Sequence, residues 1–166
     1  MSALERLVIL VVSLALSGGL IAVLSGFFTS RDQGSLTGSA GGPGQTFPDL
    51  GNRALAPGEL RPPYDSDPPT SGAHVPSAVR RENVPLSNDQ LLSALARGNV
   101  VILYGAPRLR PALQALAQEV SGRFTPALAA TGQAVILSPR RGTAGVVAVA
   151  WDHLLRVAGP ADAKLR

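Results

Sequence analysis

Leu7 to Phe28 carries no charged residue over 22 positions. It is apolar apart from Ser13, Ser17, Ser25, Gly18, Gly19 and Gly26. A helix of that length, rising about 1.5 Å per residue, reaches roughly 33 Å, which matches a hydrocarbon core about 30 Å thick. Such a helix satisfies its own backbone hydrogen bonds in lipid, so one segment spans alone. The competing reading is a cleaved signal peptide. Ala15-Leu16-Ser17 resembles a small-residue cleavage site, but the apolar run continues eleven residues beyond it. The expectation is a retained single-pass anchor in the cell (inner) membrane, with the amino end cytoplasmic and the following domain outside. Gly18 and Gly19 offer a small surface where a second helix can approach closely.

Beyond the anchor the chain has room for one modest domain and not for two. There is no cysteine in the 166 residues, so disulfides, thiolate metal sites and catalytic thiols are excluded. Charge is uneven. From Val79 onward there are eleven basic and five acidic residues, whereas Ser30 to Ala78 holds three basic and five acidic. A basic domain beside a bilayer can meet anionic headgroups or an acidic partner. Nucleic acid is not expected, because no aromatic residues interleave with the basic ones and no helix has a basic face.

Residues 29–63 are rich in Gly, Ser, Pro, Asp and Gln. Around Gly38-Ser39-Ala40-Gly41-Gly42-Pro43-Gly44 they read as a flexible tether. If ordered, the tether has to be pinned against the domain or a partner, since it cannot build a core. The proline-dense stretch Arg61 to Pro76 reads as a stiff, non-helical loop, with Gly72 free to take a positive φ just before His74. Ser87 and Gln90 form a capping box that opens a helix, with Asp89 favouring its positive end; Leu91, Leu92 and Leu95 supply its apolar face and Gly98 ends it. Val100–Tyr104 reads as a buried strand.

A second helix is predicted over Leu109–Ser121, with Leu109, Leu113, Leu116 and Val120 inward and Pro111 in its first turn. Residues 125–132 read as a loop. Ala134–Leu137 and Val146–Ala150 read as strands joined by a hairpin over residues 138–145. Trp151–Val157 reads as a short closing helix or loop. The domain spans 64–158, followed by a polar tail, 159–166. The fold expected is α/β or α+β: a transmembrane helix plus one small two- or three-layer domain, with a helical crossover making the first two strands parallel. The element order resembles part of a thioredoxin-like domain, though without its redox cysteines.

Candidate chemistry is sparse. His74 and His153 are the only histidines, and neither has a second histidine at helix-face spacing. Asp65 and Asp67 could join either histidine around a cation, but isolated aspartates in such a loop more often cap turns. Ser71 precedes His74 by three positions without the elbow or acidic orienter of a triad. Thr70 and Ser71 read as turn-bonding residues. Arg140 and Arg141 are candidate partner contacts.

The run Tyr64-Asp65-Ser66-Asp67-Pro68-Pro69-Thr70-Ser71-Gly72-Ala73-His74 resembles the signature of domain of unknown function family 3105, a family of bacterial membrane-anchored proteins. Its typical form is Pro-Pro-Thr-Ser-Gly-Pro-His, so only Ala73 departs. Leu91–Tyr104 aligns with a family helix ending His-x-x-Glu-His-Gly and the strand after it. Val149-Ala150-Trp151 is similar to a later Ala-Trp strand end. The resemblance implies that the family's polar cluster sits near the loop histidine and suits metal or proton chemistry. Here those positions hold Ser93, Ala96 and Arg97, two poor ligands and a permanent cation.

These readings lead to a non-catalytic, membrane-anchored extracytoplasmic module, an accessory or interaction subunit of a larger membrane complex. Its expected partners are the bilayer and an integral-membrane protein that meets the anchor and tether; no cofactor is implied. The alternative is a metal-binding protein using His74 with His153, Asp65 or Asp67.

Overall fold

The computed structural model describes residues 44–56 and 58–165. The expected anchor, with Gly18 and Gly19, lies outside the described residues. Among the described residues no helix is long and apolar enough to cross a membrane. The domain is an α+β fold on a five-stranded mixed sheet, and it begins earlier than Tyr64. Residues from the tether region are built into it through β1 (Gln45–Thr46), which pairs antiparallel with the last strand. Leu55 is buried in it as well.

Local signals account for the helices. In α1 (Asn88–Leu95) the Ser87 hydroxyl accepts from the Gln90 amide at 3.2 Å and the Gln90 side chain accepts from the Ser87 amide at 3.1 Å. That reciprocal pair satisfies two N–H groups the helix leaves open. Leu91, Leu92 and Leu95 are buried as their spacing demands. A 3₁₀ turn, Pro107–Leu109, leads into α2 (Arg110–Ser121), where Pro111 occupies the first turn. Leu113, Leu116 and Ala117 face inward, but Val120, expected with them, is 65% exposed. It lies in the last turn, where Gly122 ends the helix, and the neighbouring Ser121, through its hydroxyl, meets the Val135 amide instead. The expected loop at 125–132 contains α3 (Pro126–Ala130), whose Thr125 hydroxyl accepts from the Leu128 amide at 3.1 Å. Five residues with one proline gave too short a pattern to read.

The sheet order is β1-β5-β4-β2-β3, with β2 (Val100–Tyr104), β3 (Val135–Pro139), β4 (Val146–Ala150) and β5 (His153–Val157). β2 and β3 are parallel, joined by the α2 crossover as expected. The expected hairpin between β3 and β4 is not formed. β4 pairs antiparallel with the other edge of β2, so β2 lies between them. Because β2 is buried along most of its length, its second edge needs a strand as much as its first. The connection therefore passes across the end of β2. There a Cβ on Gly105 would stand 1.9 Å from the Thr143 carbonyl oxygen, and only glycine leaves room.

The hairpin falls instead between β4 and β5, with Ala150 opposite His153. Trp151–Val157 is thus a turn and a strand, not a helix. Asp152, at φ 60°, takes the left-handed position of the turn, which aspartate tolerates better than most residues.

Alternation along β2 divides the core. Val101 and Leu103 pack with Leu91, Leu92, Leu95 and Ile136 on the α1 side. Ile102 and Tyr104 pack with Leu113, Ala117 and Leu137 on the α2 side. Helices on both faces explain why β2 and β3 read as continuous apolar runs.

Candidate functional site

The proline-rich loop is held over much of its length. Gly72 has φ 124°, and its amide donates to the Gly51 carbonyl at 2.9 Å. The His74 amide donates to the Arg53 carbonyl at 3.1 Å, and the Leu55 amide donates to the His74 carbonyl at 2.9 Å. Residues 51–55 therefore run beside 72–74 like a short ladder. The Ser71 hydroxyl accepts from the Leu50 amide at 3.0 Å and donates to the Pro48 carbonyl at 3.2 Å. Thr70 and Ser71 are fully buried. Ser71, expected to bond within its own turn, instead bonds backbone groups more than twenty positions away.

His74 is buried, at 4% exposure. Its Nδ1 lies 2.9 Å from the Gly72 carbonyl oxygen. A carbonyl only accepts, so Nδ1 carries a proton, and in the neutral ring Nε2 holds the lone pair. The residue lines a cleft of about 300 Å³. Asn52 and Ala54 contribute one wall and Pro76 another; Ser93, Ala96 and Arg97 at the end of α1 close it. The three helix positions singled out from sequence therefore line the same cleft as the loop histidine. Ser93 is buried, and its hydroxyl accepts from the Ser77 amide at 2.9 Å. Arg97 donates through Nη1 to the Ser93 carbonyl at 2.7 Å, closing the carboxyl end of its own helix.

Nearby, Asp89 accepts from the Val75 amide at 2.9 Å and from Arg61 at 2.6 Å. Burial pushes its carboxyl up. The Val75 amide and the Arg61 guanidinium outweigh that, and its pKa is lowered.

The other candidates are placed apart from this arrangement. Asp67 is exposed and pairs with Arg140 at 2.5 Å, while its backbone carbonyl accepts from Arg156. Arg140 also donates to Asn88 at 3.1 Å, so the first of the two proposed contact arginines is engaged inside the domain. Arg141 is exposed. Asp65 is exposed too. His153 is exposed, with Nδ1 2.9 Å from the Trp151 carbonyl. Among the described residues no three side chains of His, Asp or Glu gather as a metal-holding group.

Two residues of this region had no signal in the sequence. Asn52 comes from a stretch without apolar periodicity. Asp152, in the β4–β5 turn, has a buried Oδ1 without a hydrogen-bond partner. Burial pushes its carboxyl upward against the Ser71 hydroxyl, and the negative charges of Asp49 and Asp65 add to the rise.

A family model described as "Protein of unknown function (DUF3105)" matches residues 60–166. No curated protein and no solved structure matches the chain.

Proposed function

The chain belongs to the DUF3105 family, and from that premise we propose that it is a non-catalytic, membrane-anchored extracytoplasmic module, an accessory subunit of a larger membrane complex. One observation carries the reading. The cleft beside His74 keeps a defined shape, yet its helix end supplies Ser93, Ala96 and Arg97, none of them a good ligand or general base. A cleft without a reactive constellation suits recognition better than turnover. Leu7–Phe28 provides the anchor and a surface for a partner helix, and the ladder beside His74 holds the domain at the end of its tether. In this reading the parallel pair β2–β3, with the β4–β5 hairpin added on the far edge of β2, is a thioredoxin-type connection used as a scaffold. Extraction of the full chain in mild detergent, followed by co-purification, tests the idea. A stoichiometric membrane partner is expected; a strictly monomeric particle counts against it.

A second reading has one specific observation behind it. His74 donates Nδ1–H to a backbone carbonyl and leaves Nε2 free to accept, the arrangement metal-ligating histidines adopt. Metal analysis of chelator-free protein separates the two. Metal retained by the wild type and lost in His74→Ala favours the metal reading; metal-free wild type removes it.

A further inference from the structure

Away from His74 a second depression, of about 490 Å³, is lined by Arg80, Arg81 and Glu82, by Gln114 of α2, and by Arg123 and Phe124. The ion pairs among the described residues use Arg53, Arg61 and Arg140. Arg80, Arg81 and Arg123 are exposed and take part in none of them. Their backbones are nonetheless fixed. Val79 is buried in the core directly before Arg80, and Phe124 packs against the same core directly after Arg123. Gly122, at φ 77°, ends α2 and turns the chain into Arg123. Three cations converging from two separate chain segments repel one another, at a cost that scattered surface arginines avoid.

The groove's own carboxylate does not compensate. Among the described residues Glu82 forms no ion pair with any of the three arginines, and burial raises its pKa. The arginines are therefore not arranged as its counter-ions.

We propose that this groove is a binding site for a phosphate-bearing anion. A guanidinium fork matches two phosphate oxygens, and the doubly charged, three-oxygen face of a phosphate can use more than one fork. A single carboxylate, with two oxygens and one charge, neutralises less of the cluster and engages fewer of its donors. The Gln114 amide adds a neutral hydrogen-bonding group, and the half-buried Phe124 ring gives the organic part of such a ligand an apolar wall. The same chemistry is offered by a soluble phosphate compound and by a phospholipid headgroup. The site is separate from the cleft at His74, so its failure would leave the accessory reading untouched.

The test uses the full chain in a zwitterionic detergent. Pyrophosphate is titrated by calorimetry in one arm, and phosphatidic acid, whose headgroup is a phosphate monoester, is doped into the micelles in the other, with thermal shift as the readout. Saturable binding is expected in at least one arm, weakened about tenfold or more by Arg123→Gln or by Arg80→Gln with Arg81→Gln. Arg141→Gln, which removes an exposed arginine outside the groove, should stay within about twofold of wild type. Pyrophosphate binding makes the source soluble; response to phosphatidic acid alone makes it lipid. No binding in either arm, an equal loss in Arg141→Gln, or citrate binding as tightly as pyrophosphate would overturn the proposal.

Discussion

In the cleft beside His74 the arginine is already engaged, Arg97 donating to the Ser93 carbonyl of its own helix, whereas in the groove after Val79 three arginines meet no carboxylate partner among the described residues. The same contrast extends outward from each. Arg61, Arg140 and Arg156 bind the loop or the start of α1 through Asp89, Asn88 and Asp67. They hold a segment that has too few apolar side chains to hold itself. Val79 and Phe124 anchor the groove through the core, so its arginines have no comparable structural task. The basic excess noted in the sequence is therefore two populations. One is spent on internal order, and the other is left for something outside the domain.

Asn99 ties the end of α1 to α3 and to the residue before β3, and it gives the largest expected effect. Its side chain donates to the Ala94 carbonyl at 3.0 Å and the Ala129 carbonyl at 2.8 Å, and accepts from the Ala134 amide at 2.9 Å. Asn99→Ala leaves buried polar groups under-satisfied and should cost about 3 kcal/mol, read from urea unfolding. A loss below about 1 kcal/mol would mean that the helix end and α3 are not coupled through this residue. Next comes His74→Ala, which removes the bond to the Gly72 carbonyl and opens a cavity. It should cost about 2 kcal/mol, with faster proteolysis in the loop; unchanged stability and cleavage would show that the ladder holds without the ring.

The arginine contrast itself predicts a smaller difference. Arg140→Gln should lose up to about 1 kcal/mol, since its partners are half-buried or exposed. Arg80→Gln should stay within about 0.5 kcal/mol of wild type. Equal losses in parallel denaturant titrations would erase the distinction between the two populations.

The smallest effect is one of pH. Asp89 is lowered in the folded state, so its contribution is present above the unfolded carboxylate value near about 3.9 and is lost as pH falls through its folded value. Asp152 is raised, so its charged form opposes folding at neutral pH and the penalty fades in acid. Melting curves between neutral and acid pH should therefore show Asp89→Asn below wild type and Asp152→Asn above it at neutrality, both converging at the acid end. A variant whose offset does not change with pH would disconnect that residue from the acid response.

Much of the helical content was legible because its signals are local. The capping box at Ser87, Pro111 in a first turn and the apolar spacing of α1 act over one or two turns of chain, and β2 shows its burial as an uninterrupted apolar run. The stiff loop was legible for the same reason, through fixed proline φ angles. The loop's partners were not. Nothing local distinguishes residues 51–55 from the rest of a Gly- and Pro-rich tether, and their order comes from carbonyls and amides on 72–74. The strand at His153–Val157 was likewise hidden. Five residues carry too little period, and it becomes a strand because Asp152 turns the chain back onto β4.

For the site, the sequence by itself determined which residues could take part: His74 behind a permissive glycine, and Ser93, Ala96 and Arg97 at a helix end. Helix geometry places those three positions on nearby turns wherever the helix lies. Only the tertiary structure brought them to one cleft with His74, because that placement depends on where the loop is annealed, and annealing is a matter of backbone hydrogen bonds that leave little mark on residue type. The pairing of β4 with β2 instead of β3 has the same origin, since an open edge of a buried strand accepts whichever strand the chain can bring to it. The grouping of Arg80 and Arg81 with Arg123 does too: residues more than forty positions apart in sequence become neighbours only when Val79 and Phe124 enter one core.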